Sequence, residues 1–277
     1  MIHIFIVCTG AFSELWENKR IRTLNYLFIN YEKTFNLISD KNNLENFQSV
    51  LSDEYVKYNY YHICNLVYPF VTLHKYDYID DACKQFGYDP NDFFLYLDSH
   101  SICIYKRQQY WDNIVNNELS NYDICYANNP YVNDKMIYDE IDPRSKHYID
   151  LETFEQHKDL WAQLSFLMGK VEGLHKFKIE INKLILADTM HSGNSRKKNS
   201  IIANYTEQHY ANYLFFDILI FGNNHDLNIN HGKYIMKNKD IISRNPESFI
   251  ICHHYAGYKA AHNVMHKHNS NIYKDNL

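Results

Sequence analysis

The sequence is short of glycine, of basic excess and of long apolar runs. Eight glycines in 277 residues exclude a collagen repeat, which needs one at every third position. Lys and Arg total 28 against 33 Asp and Glu, a formal net charge of −5. That balance argues against a general nucleic-acid binder, which displaces counterions with a basic surface. No run reaches the roughly 20 apolar residues of a membrane span, and the opening IHIFIV is too short for a signal-peptide core. No CxxC pair occurs either. Cys8, Cys64, Cys83, Cys103, Cys125 and Cys252 are scattered, several inside apolar runs. They are expected as buried thiols of a reducing compartment, not as a disulfide framework or a zinc site. The expectation is a cytoplasmic protein with no nucleic-acid partner and no transmembrane segment.

What is present is a globular composition, 45% hydrophobic and 22% charged, which excludes intrinsic disorder. Aromatics reach 16%, with 25 Tyr, and the richness in Asn, Lys, Ile and Tyr is what an AT-rich coding sequence produces. The 16 His matter more: protonating all of them would carry the formal charge from −5 to +11. Surface charge should change sign in mildly acidic buffer, because ordinary His titrates near pH ~6.5.

Along the chain, Ile2–Cys8 is an almost continuous apolar run, as expected of a strand buried on both faces. Thr9-Gly10 breaks it, and Phe12, Leu15, Trp16, Leu24, Leu27, Phe28 and Tyr31 follow near helical spacing. A strand, a tight turn and a helix are how a nucleotide-binding α/β sheet commonly opens. A second run, Phe93–Leu97, ends at Asp98-Ser99-His100. Ligands of open α/β sheets bind beyond the carboxyl ends of the strands, so an acid there is positioned to work; the alternative is an Asp that caps a turn. Residues 104–160 read as loops and short strands. Leu164–Leu186 reads as helical, with Val171, Leu174, Ile181, Leu184 and Ile185 on one stripe. Residues 191–200 read as a flexible basic loop, and Thr206 as the N-cap of a further helix. Phe249–Cys252 reads as a late buried strand. The expectation is one α/β domain over 1–277, with 253–277 as a mobile tail.

Read together, several segments resemble glycosyltransferase family 6, which includes the histo-blood-group A and B transferases and α-1,3-galactosyltransferase. The segments, in the family's order, are IFIVCTGAFSELW, FFLYLDSHS, DICYANNPYV with YDEIDPRSKHYI, FLMGKVEGLHKFKIEINKLILAD and NYTEQHYANYLF. The resemblance covers about residues 2–216. It implies a single GT-A type α/β domain with a mixed, mainly parallel sheet. The implied reaction moves Gal or GalNAc from a UDP-sugar to an oligosaccharide or glycolipid acceptor, with retention and an α-1,3 linkage.

By position, the resemblance implies that Val7, Cys8, Thr9 and Phe12 line the uracil and ribose pocket. Asp98 and His100 would face the diphosphate, with or without Mn²⁺, an ion that accepts carboxylate and imidazole. Gln163, Leu164 and Ser165 would lie beside the donor sugar. Glu207 would be the catalytic carboxylate under the anomeric carbon; the alternative is a first-turn acid complementing its helix dipole. His100 departs from the family's second Asp, which puts metal use in doubt. Asn204, Tyr205 and Thr206 replace the acceptor-contacting Trp, His and Asp. His253–Lys259 is similar to an element of glycosyltransferase family 8, which implies His254 as a metal ligand and Lys259 as a phosphate contact. Two alternatives follow: a GT-A transferase of another family holding Mn²⁺ with Asp98, His100 and His254, or an inactive saccharide- or nucleotide-binding module.

Overall fold

The computed structural model describes residues 1–9, 22–41, 56–64, 70–99, 101–129, 145–192, 207–237 and 250–253. Strand β1 (Ile2–Cys8) runs between two parallel neighbours, β2 (Lys33–Ser39) and β4 (Phe93–Asp98). β3 (Lys57–His62) extends the sheet beyond β2. On the far side of β4 lie β7 (Ala162–Lys170), β6 (Ile124–Asn128) and β8 (Ile229–Gly232). The order is β3-β2-β1-β4-β7-β6-β8, and β7 alone is antiparallel to its neighbours. The chain thus builds outward from β1 to β3, then returns to place β4 on β1's other side. Beside this sheet, β5 (Ser101–Cys103), β10 (Ile251–His253) and β9 (Ile235–Lys237) form a second, three-stranded one.

Alternation along the strands sorts the core into two layers. Ile2, Ile4, Ile6 and Cys8 of β1, with Leu95 and Leu97 of β4, enter the first. There they meet Leu24, Leu27 and Phe28, Trp111 of α3 (Gln108–Asn113), and Ile114 and Leu119 of the π-helical turn that continues it. Phe5, Phe94 and Tyr96 enter the second layer. Their partners are Tyr76, Ile79 and Cys83 of α2 (Lys75–Phe86), Leu174, Phe177 and Ile181 of α5 (Val171–Ser192), and Tyr210, Leu214 and Phe215 of α6 (Glu207–Leu219). A short helix α1 (Phe70–Leu73) precedes α2, and α4 (Leu151–His157) carries the chain toward β7. Gly87 ends α2 in the left-handed conformation (φ 67°), where Tyr88 N–H reaches back to the Cys83 carbonyl at 3.0 Å.

The structure corrects several sequence expectations. Leu164–Lys170 is strand, not helix, and the helical stripe starts at Val171. A short apolar run has no periodicity to tell strand from buried helix, and here β4 and β6 supply backbone partners on both sides. β2 escaped notice because KTFNLIS is half polar, yet every residue is buried. Its polar groups are satisfied internally: Lys33 Nζ donates to the Leu27 carbonyl at 2.8 Å and Asn36 Nδ2 to the Ile4 carbonyl at 3.3 Å. The expected helix after Thr9 is, over its described part, a 3₁₀ turn at Arg22–Tyr26, and Phe28 and Asn30 follow with positive φ. Residues 104–160 contribute α3, β6 and α4, more helix than expected. His253 lies in β10, not in a tail. Cys8, Cys83, Cys103 and Cys125 are buried thiols, whereas Cys64 is exposed.

Two glycines let α5 and β7 close onto β6. A Cβ at Gly169 would sit 2.0 Å from the Asp123 carbonyl oxygen, and one at Gly173 would sit 2.2 Å from the same atom. That oxygen is held in place by the Lys170 N–H at 3.1 Å. Gly169→Ala and Gly173→Ala should each destabilise the protein by about 1–3 kcal/mol, the cost of overpacking a close contact. Urea denaturation would read this as a lower midpoint at unchanged slope.

Candidate functional site at the reversal of strand order

The direction of sheet growth reverses between β1 and β4, the place where ligands of open α/β sheets bind beyond the carboxyl ends of the strands. Val7 and Asp98 are register partners at that point. By alternation both lie on the side of α2, α5 and α6, and Val7 packs against that layer. Because β7 runs antiparallel, its beginning, with Leu164 and Ser165, comes to the end of β4, where Leu97 pairs with Phe166. α6 packs on this part of β7 through side-chain amides. Asn212 Oδ1 accepts the Ala162 N–H at 2.6 Å, and Gln208 Oε1 accepts the Leu164 N–H at 3.3 Å. This docking brings Glu207, the first residue of α6, to the same corner.

Glu207 is buried and ion-paired. Its Oε1 lies 2.6 Å from Lys75 Nζ, and the two side chains are only 6% and 7% exposed. Lys75 Nζ also donates to the Leu164 carbonyl at 3.0 Å and sits 4.6 Å from the centre of the Tyr96 ring and 5.3 Å from that of Tyr76. Tyr96 donates its hydroxyl to Asp98 Oδ1. Asp98, Tyr96, Lys75 and Glu207 therefore form one connected chain of contacts. Burial pushes the Tyr76 phenol well up, and the charges of Glu207 and then Asp98 push it the same way. Burial, with the charge and hydrogen bond of Asp98, does the same for Tyr96. Both phenols stay protonated, and Tyr96 serves as the donor to Asp98.

Lys75 is a residue that sequence reasoning missed. A cation in the first turn of a helix opposes the helix dipole, and α2 accepts one because Glu207 and the Leu164 carbonyl surround it. Its only sequence signal is a lysine set between apolar Leu73 and Tyr76. Glu207, by contrast, agrees with its own helix dipole and was legible.

Three polar atoms of the cluster have no hydrogen-bond partner among the described residues: Glu207 Oε2, Ser165 Oγ and Tyr76 OH, all buried. Unsatisfied buried polar atoms are uncommon in folded proteins and call for a partner. An acceptor and two hydroxyls are a set that hydroxyl groups of a ligand can satisfy.

No family model matches the chain, and no curated protein sequence matches it.

The described residues place the remaining expected contacts as follows. Thr9 follows β1, partly exposed, and Gln163 is partly exposed on β7. Cys8 is fully buried in the opposite core layer, so it does not share a wall with Val7. Leu164 contributes a buried side chain and the carbonyl that holds Lys75. Phe12, His100, His254 and Lys259 lie outside the described residues. Of the three donors expected for Mn²⁺, only Asp98 is among the described residues. Among the described residues no group of three metal-binding side chains occurs, and no helix is long and apolar enough to cross a membrane.

Proposed function

We propose that the chain is a GT-A type glycosyltransferase that takes a UDP-sugar, Gal or GalNAc by resemblance, and transfers it to a saccharide hydroxyl with retention. The observation that carries this reading is the convergence of Asp98 and Glu207, from distant segments, on one buried cluster at the reversal of strand order. The lone antiparallel strand β7 beside β4 and the small second sheet agree with it. So does the order in which the segments resembling family 6 occur.

In this reading the diphosphate lies at the Asp98 end and the sugar over Ser165 and Glu207. Departure of UDP leaves positive charge at the anomeric carbon, which a fixed carboxylate stabilises or attacks. Lys75 holds Oε1, so Oε2 remains the oxygen available to the substrate. The enclosing aromatic rings lower the local polarity and strengthen that interaction. No step is assigned to a metal ion.

The tight Lys75–Glu207 pair also favours a second reading, a nucleotide- or saccharide-binding module without catalysis, since a neutralised carboxylate is a weaker nucleophile. UDP release from UDP-Gal, UDP-GalNAc, UDP-Glc and UDP-GlcNAc, with EDTA and with Mn²⁺, separates the two. Release from one donor supports the transferase and names its sugar. UDP binding without release, also with added saccharide acceptors, supports the module. Absence of UDP binding would overturn the transferase, and absence of saccharide binding as well would overturn both.

A further inference from the structure

In the connection from α6 to β8, which Asn228 also ties to Asp123 and Asn121 at its far end, one histidine bridges two helices. His225 Nδ1 lies 3.0 Å from Glu180 Oε2 on α5, and His225 Nε2 lies 2.6 Å from Asp217 Oδ2 near the end of α6. The three side chains are only 11–17% exposed. A neutral imidazole donates from one nitrogen and presents a lone pair at the other, so it would set that lone pair against a carboxylate oxygen. Only the imidazolium donates to both. Without its charge, two poorly solvated carboxylates would also face each other across the gap.

The surroundings point the same way. On α5, Lys183 holds the other oxygen of Glu180 at 2.5 Å, and Lys176 lies 3.6 Å from Asp226. On α6, Asp217 also accepts from Asn223 Nδ2 at 2.8 Å, and burial, then the charge of Asp217, raises the Tyr213 phenol. His147, from the segment before α4, feels Asp217 but is held neutral-leaning by burial. Asp226, next to His225, has φ of 50°, in the left-handed region that Asp enters more readily than most residues with a side chain.

We propose that His225 is a protonation-dependent latch: as an imidazolium it ties the 220–228 connection to α5 and α6 at once, and its deprotonation releases this connection and the edge strand β8 that follows. The latch lies at the opposite end of α6 from Glu207 and does not depend on the proposed reaction.

The pH window follows from the two sides of the pair. His225 is raised above its ordinary 6.5: burial, the largest single influence, lowers it, but the hydrogen bonds and charges of Glu180 and Asp217 together outweigh this. Its contribution is complete below pH 6.5 and is lost as pH rises through the raised value. Glu180 is depressed below its ordinary 4.5: burial opposes this, and Lys183 and His225 outweigh it. Its contribution is complete above pH 4.5 and is lost as pH falls through the depressed value. The latch is therefore strongest between about pH 4.5 and 6.5 and weakens on the alkaline side.

The test uses the whole chain. NMR of the imidazole nitrogens, with His225 assigned by its disappearance in His225→Gln, should show both nitrogens protonated at pH 6.5 and a midpoint above that of ordinary histidine. A midpoint at or below 6.5 overturns the latch without relying on any variant. Hydrogen exchange of peptides covering 217–232, corrected for intrinsic rates, should be at least roughly tenfold faster at pH 8.5 than at pH 6, as loss of a charge-assisted hydrogen bond implies. Peptides from β1 and β4 should not change. In His225→Gln the segment should exchange at the fast level at both pH values. Equal protection of the native segment at both pH values, or variant protection equal to the native, would overturn the proposal.

Discussion

Glu207→Gln is expected to abolish sugar transfer while leaving UDP affinity within a few-fold of the parent. The amide keeps nearly the shape of the carboxylate and can still accept from Lys75 through its oxygen, so the corner stays packed. In the proposed reaction, what disappears is the negative charge beside the anomeric carbon. A preorganised charge at a developing centre is worth about 10²–10³ in rate by itself, and more if the carboxylate forms a covalent intermediate. Donor turnover and UDP titration on the same preparation would measure both quantities. Undiminished turnover would remove Glu207 from the chemistry and leave it as a structural acid at a helix start.

Lys75→Met carries the second large effect, chiefly on stability. The methionine matches the lysine's apolar stem but leaves the Glu207 carboxylate buried without its cation. Breaking one side of a buried ion pair costs about 3–5 kcal/mol. For a chain of this size that lowers Tm by on the order of 10 °C. The double variant Lys75→Met, Glu207→Leu should recover much of the loss, because an apolar pair of similar volume replaces a costly ionic one. It should not recover donor turnover. That pattern, stability regained and activity not, would mean that the ion pair is kept for function. If Lys75→Met melts within 2–3 °C of the parent, the corner is wetter than its burial implies, and the positioning role of Lys75 falls with it.

How far the sequence could be read depended on where each interaction is made. β1 and β4 were legible because a strand buried on both faces must be apolar along its length, as IHIFIVC and FFLYL are. Asp98 was legible as the first charge after such a run, and Glu207 as an acid where a helical pattern begins. In each case the signal is local. β2 was not legible, since its Lys33, Thr34, Asn36 and Ser39 are compatible with burial only through partners elsewhere, among them the Leu27 and Ile4 carbonyls. Leu164–Lys170 misled for a related reason: whether a short apolar stretch becomes strand or helix depends on whether neighbouring strands offer it hydrogen bonds.

The site divides along the same line. Local pattern determined that acids would stand at a strand end and at a helix start, and that the chain would fold as α/β. It carried no information that Asp98 and Glu207, more than a hundred residues apart, would belong to one cluster, or that Lys75 would join them. Lys75 runs against the preference of its own helix end, so no local rule could single it out. The antiparallel placement of β7, which brings Leu164 and Ser165 to the end of β4, and the docking of α6 through Asn212 and Gln208 made that decision. Burial then tightened it: with Lys75 and Glu207 nearly excluded from water, their charges could be accommodated only in contact with each other.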